Sequence, residues 1–118
     1  MERRFRLTRS TDFKRVRSTG KSFAHPLVVL VAAPSEADTV RIGITAGRST
    51  GGAVSRNRAK RLLREACRPL VPHLAPGKDI ILIARPPIIS ATLVEVQEAL
   101  QGLFRRAHLE TDINNGTR

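Results

Sequence analysis

Residues 56–68 (RNRAKRLLREACR) hold six basic side chains and a single acid, Glu65. Guanidinium groups at this density suit one chemistry above others, multidentate contact with phosphate or carboxylate oxygens. At the helical increment of about 100° per residue the segment sorts into two faces. Ala59, Leu62, Leu63, Ala66 and Cys67, with Leu70 beyond them, make an aliphatic face that can dock on a core. Lys60, Arg61, Arg64 and Arg68, with Asn57 among them, make a cationic stripe. Arg56 fits neither face cleanly and is placed in the first, less regular turn. Acids that could form i, i+4 pairs are nearly absent, so the stripe repels itself unless something anionic lies against it.

Other residue types offer less. His25, His73 and His108 are scattered and none has metal-ligand spacing with a second ligand, so they read as surface or structural histidines. Cys67 stands at the edge of an apolar face with no local base and reads as a packed small hydrophobe. Glu95 and Glu98 share a helix face at i, i+3. They read as solvated surface, although a carboxylate beside bound RNA can help hold Mg²⁺. Residues 43–52 are Gly-rich but lack the Gly-Lys-Ser/Thr end of a phosphate-binding loop. No dyad or triad suggests self-contained catalysis, and the chain reads as a binding protein. Arginine in a stripe suits phosphate tracking on folded RNA better than base reading in a DNA groove. The scarcity of aromatics argues against a stacking platform.

The whole composition agrees. The chain has 118 residues, enough for one domain with an aliphatic core, since it holds four Phe and no Trp or Tyr. Its net charge is +11 and its pI about 11.6. The charge falls in two blocks. Residues 1–22 carry eight Lys/Arg against two acids, and residues 41–68 carry eight against one. Two separated basic blocks on a small domain point to a polyanion, nucleic acid first. A basic membrane-surface helix would set bulky aromatics opposite its cations, and this one has Leu, Ala and Cys there. A single cysteine suits a reducing compartment. No apolar run approaches the roughly 20 residues of a membrane span, and the basic N-terminus lacks the apolar core of a signal peptide. A cytoplasmic protein with no membrane partner is expected.

The positioning elements follow from pattern. Ser10 is expected as an N-cap and Gly20 as a helix stop, giving a short basic helix over 11–19 with Phe13 and Val16. Residues 27–33 (LVVLVAA) read as a buried strand and 34–38 as a polar turn. Residues 40–45 (VRIGIT) alternate and read as a second strand antiparallel to the first. A Gly-rich connection over 46–53 leads into the Arg-rich helix, 54–71, which Pro69 and Pro72 close. Gly77 precedes a third strand over 79–84 (DIILIA), stopped by Pro86 and Pro87. Thr92 to Glu95 is a capping-box pattern. The helix it opens has Leu93, Val96, Leu100, Leu103, Phe104 and Ala107 on one stripe. A short further strand fits near residues 22–24. The result is a small mixed domain over residues 1–109, with 110–118 as a loose polar tail.

At residues 55–68 (SRNRAKRLLREACR) the chain resembles the protein subunit of bacterial ribonuclease P. Arg6-Leu7, Asp12-Phe13, Arg41-Ile42-Gly43-Ile44, Gly51, Ala53-Val54 and Ile81-Leu82-Ile83-Ala84-Arg85 extend the resemblance over about residues 3–109. It implies an α+β fold, a single αβββαβα sandwich-like domain. The central sheet would have three to four strands and a left-handed βαβ crossover. It also implies a subunit that assists a catalytic RNA in removing the 5′ leader of precursor tRNA. The chain alone would not be catalytic, and Mg²⁺ would be held mainly by the RNA subunit, with no organic cofactor. The resemblance places Arg48, Arg56, Asn57, Arg58, Lys60, Arg61, Arg64 and Arg68 against the RNA subunit. Phe13, Arg17 and Val31 would line a leader cleft between the first helix and the sheet. The family often has a second aromatic where Arg17 stands, and Val31 occupies a sheet position that can be aromatic. The leader would then be held more by charge and less by stacking. No obligatory protein partner is implied. The rival reading is a structural ribosomal protein, which would share the charge and size. The Arg-Asn-Arg cluster with Asp12-Phe13, and the absence of a long basic tail, discriminate against it.

Overall fold

Position in the sheet follows from what each strand can bury. The computed structural model describes residues 3–110. Helix α1 is Ser10–Thr19, and strands β1 (Lys21–Ala24), β2 (Val28–Pro34) and β3 (Arg41–Ala46) follow. Helix α2 is Ala53–Cys67, strand β4 is Lys78–Ala84 and helix α3 is Leu93–Arg106, which completes the αβββαβα order. The strands stand in the order β1-β2-β4-β3. β2 pairs antiparallel with β1 and β4, and β3 pairs parallel with β4. Ile80, Ile81 and Leu82 of β4 are all fully buried, so this strand needs cover on both faces and both edges. β3 carries Arg41 and Thr45, half-exposed, and suits an edge. β3 therefore runs antiparallel to β2, as its sequence suggested, but does not touch it, because β4 stands between them.

The sheet has helices on both sides. α2 and α3 cover the face bearing Val28, Leu30, Ile42, Ile80 and Leu82. α1 covers part of the other, where Val16 meets Val31, Ala33 and Ile81. Ala59, Leu63, Ala66 and Cys67 of α2 are buried, as the apolar stripe required. Truncating a side chain such as Leu63 to Ala should cost about 2–5 kcal/mol.

Several boundaries differ from expectation. Arg9, not Ser10, is the N-terminal capping residue of α1, and no side chain caps it. Gly20 does end α1, but with φ −82, so it supplies no left-handed turn. It supplies closeness instead, since a Cβ there would lie 2.5 Å from the Val16 carbonyl oxygen and 2.8 Å from that of Ala32. α2 stops at Cys67, and Arg68–His73 continue as a 3-10 turn because Pro69 and Pro72 have no N–H for an α-helical ladder. The capping box of α3 forms: Glu95 N–H donates to Thr92 Oγ1 at 3.1 Å, and Thr92 N–H to Glu95 Oε1 at 2.8 Å. Leu93, expected on the buried stripe of α3, is exposed. Of the tail expected over 110–118, Glu110 forms an isolated bridge with Leu74, and the rest lies outside the described residues.

Candidate nucleic-acid interface

The aliphatic face of α2 is spent on the core, which turns its cations outward. Arg58, Arg61, Arg68 and Asn57 are exposed, and Arg56, Lys60 and Arg64 are half-buried. Arg48 is exposed on the one-turn 3-10 helix Arg48–Thr50 that leads into α2. Among the described residues the stripe makes one ion pair, Arg68 with Glu65 at 2.5 Å. The other cations stay available to an anion. Gly52 caps α2 without a side-chain hydrogen bond, which leaves the helix N-terminus open as well.

The second candidate surface is built on strand register. On the α1 side of the sheet, Ser22, Val31, Ile81 and Gly43 form one rung, and Ala24, Val29, Ile83 and Thr45 form the next. α1 lies over the first rung and leaves the second uncovered, with Val29, Ile83 and Thr45 half-exposed. Phe13 sits over Gly43, whose missing side chain makes room for the ring: a Cβ there would stand 2.4 Å from Phe13 Cζ. Phe13 is half-buried, packed on the small core on one side and open on the other. Arg17, one turn on, is exposed. Val31 is a correction. It is 4% exposed, sealed beneath Gly20 and Val16, and offers no surface to a ligand.

What holds α1 at this height is a buried acid. Asp79 is completely buried and accepts hydrogen bonds from Arg41 Nε at 2.9 Å, from Arg41 Nη2 at 2.7 Å and from Arg15 of α1. Burial alone would raise its carboxyl, but the bonds from Arg41 and Arg15 outweigh burial and hold it below the usual value. Asp12 of α1 lies near both guanidinium groups, 3.6 Å from Arg15 and 3.9 Å from Arg41. Sequence reasoning passed over Asp79 and the role of Gly43. An acid opening an apolar strand and a glycine inside an alternating one were the available signals.

The two surfaces meet at the edge of β3. Arg6, Thr8, Phe13, Ile44 and Arg64 line a notch of about 260 Å³ there, so Arg64 of the stripe and Phe13 of the groove share one cavity. Leu7 N–H donates to the Ile42 carbonyl at 2.9 Å and tacks the N-terminal segment along this edge. Two groups that could do bond-making chemistry are engaged elsewhere. Burial pushes the Cys67 thiol up to about 12, and His25 Nδ1 accepts a turn hydrogen bond from Leu27 N–H. Among the described residues no three His, Cys, Asp or Glu side chains cluster as a metal site, and no helix is long and apolar enough to cross a membrane.

These features define a small, strongly basic α+β protein with a cationic helix on one face of its sheet and a half-open groove on the other. The ribonuclease P family profile matches residues 1–108. The ribonuclease P protein component of Herpetosiphon aurantiacus is 43% identical over 112 residues, 95% of this chain and 91% of that one. That of Chloroflexus aurantiacus is 42% identical over 110 residues, 92% of this chain and 82% of its own. The solved RNase P protein of Staphylococcus aureus superposes with a TM-score of 0.80 at 32% identity, covering 91% of this chain and 98% of that one. The Thermotoga maritima protein gives 0.76 at 30% identity, covering 86% and 96%. The chain belongs to the ribonuclease P protein family.

Proposed function

We propose that this chain is the protein subunit of a cytoplasmic ribonuclease P ribonucleoprotein, binding the catalytic RNA through α2 and the 5′ leader of precursor tRNA beside α1. The observation that carries the reading is the outward charge of α2, where Arg56, Arg58, Lys60, Arg61 and Arg64 lack a carboxylate partner among the described residues. Arg48, Arg56, Asn57, Arg58, Lys60, Arg61, Arg64 and Arg68 lie against the RNA subunit. Phe13 and Arg17, beside the uncovered rung, hold the leader. The cut itself belongs to the RNA, which also holds most of the Mg²⁺. The protein's part is to supply fixed positive charge around phosphates, so that fewer free cations are needed.

Precursor tRNA cleavage by a cognate RNA subunit, with and without this protein at low Mg²⁺, tests the reading. The protein alone is expected to leave the substrate intact, and the mixture to cleave faster than RNA alone. Replacing Arg58, Arg61 and Arg64 by Ala should weaken binding to the RNA subunit. The slope of log K against log[salt] should fall by roughly one unit per lost contact. Metal-dependent cleavage by RNA-free protein, or an unchanged slope in a folded triple variant, would refute it.

A further inference from the structure

The cationic stripe has an apolar border. Val54 is 84% exposed, Leu93 42% and Val94 60%. Single exposed aliphatics need no explanation, but two of these are not single. Val54 and Leu93 line one cavity of about 620 Å³ between α2 and the start of α3, with Leu62 beside them and Asn57, Arg58, Arg61 and Glu65 around them. Pure phosphate tracking has no use for such a floor. A floor of three aliphatic side chains under two guanidinium groups suits a ligand that is flat and weakly polar at one end and anionic at the other.

We propose that this cavity takes an unpaired nucleobase of the bound RNA, its face on Val54, Leu62 and Leu93 and its flanking phosphates on Arg58 and Arg61. The inference rests on the RNA-binding reading above and deepens it: α2 selects an unstacked nucleotide as well as backbone charge. The volume lies within the roughly 300–1,000 Å³ of ordinary ligand pockets. Asn57 offers a base edge one donor group and one acceptor, and Glu65 offers acceptors for an exocyclic amine. Arg68 bonds Glu65 at 2.5 Å, so the acid does not stand uncompensated beside phosphate. Leu93 is held in place before the ligand arrives, because it lies within the capping box of Thr92 and Glu95.

The test is binding of the full chain to a cognate ribonuclease P RNA, comparing wild type, the double variant Val54→Ser/Leu93→Ser, and Arg58→Ala. Both serine positions are exposed, and circular dichroism verifies the fold. The double variant should bind about tenfold more weakly with an unchanged salt slope, since no cation is lost. An unpaired nucleotide that wild type protects from chemical probing should become reactive. Arg58→Ala should instead lower the slope. If the double variant binds and protects as wild type does, the nucleobase pocket is wrong and the RNA-binding reading survives. If wild type binds no RNA, that reading fails and takes the pocket with it. If the serines change sedimentation of the free chain and not RNA affinity, the patch is a self-association face and the proposal is overturned.

Discussion

Gly43 and Phe13 act as one unit, because the ring occupies the volume a side chain at Gly43 would need. With a Cβ only 2.4 Å from Cζ, Gly43→Ala must push the ring off the sheet. The displacement should cost about 1–3 kcal/mol, the range for an overpacked site. If Phe13 also holds the leader, Gly43→Ala should weaken holoenzyme binding of precursor tRNA while mature tRNA binds as before. Phe13→Ala should reproduce that selectivity. Equal loss for both tRNA forms would reduce the pair to packing. The glycine was visible in the sequence as part of Arg41-Ile42-Gly43-Ile44. Its partner was not, because an alternating strand says which residues share a face and nothing about which helix lies on it.

Among elements, α1 is anchored to the sheet through a buried charge. Its one fully buried residue is Val16, with Phe13 half-buried beside it, so the bond from Arg15 to Asp79 adds to a small apolar contact. Because Asp79 holds its proton less tightly folded than unfolded, its contribution is present above the unfolded pKa. It is lost as pH falls below about 4, toward and through the lower folded value. Asp79→Asn should lower stability at neutral pH and flatten the acid limb of a thermal-melting profile between neutrality and strong acid. An acid limb as steep as wild type would show that the carboxylate is not what senses the proton. α2, α3 and the strand segments were legible because each has a clear period or cap: the Leu62/Leu63/Ala66 face, the Thr92/Glu95 box, the apolar run of β4. The full order of strands was not, beyond the βαβ crossover through residues 40–45, the Arg-rich helix and 79–84 that the family resemblance implied. Nothing local in residues 40–45 says that their neighbour lies beyond α2, and nothing in Val31 says that α1 will cover it. The cationic stripe was legible as a face, whereas its apolar border needs α3 brought alongside.

On the scale of the whole molecule, the sheet separates two positively charged surfaces that meet at the notch beside β3. The strand holding this arrangement together is the last to be made. β4 is paired with β2 over its whole length, from Val28 with Ala84 to Pro34 with Lys78, and with β3 on the other side. During synthesis, β2 and β3 leave the ribosome with no neighbour between them, and most of the basic residues appear before the sheet can close. A chain ending at residue 77 should therefore remain unfolded, with no cooperative melting transition, while one ending at residue 110 should melt cooperatively. A cooperative transition in the shorter chain would show that β1, β2 and β3 can close without β4. On that expectation, the chain stays an open polycation beside ribosomal RNA until β4 arrives. Closure around β4 would then be as much a protection against premature attachment as a step in building the fold.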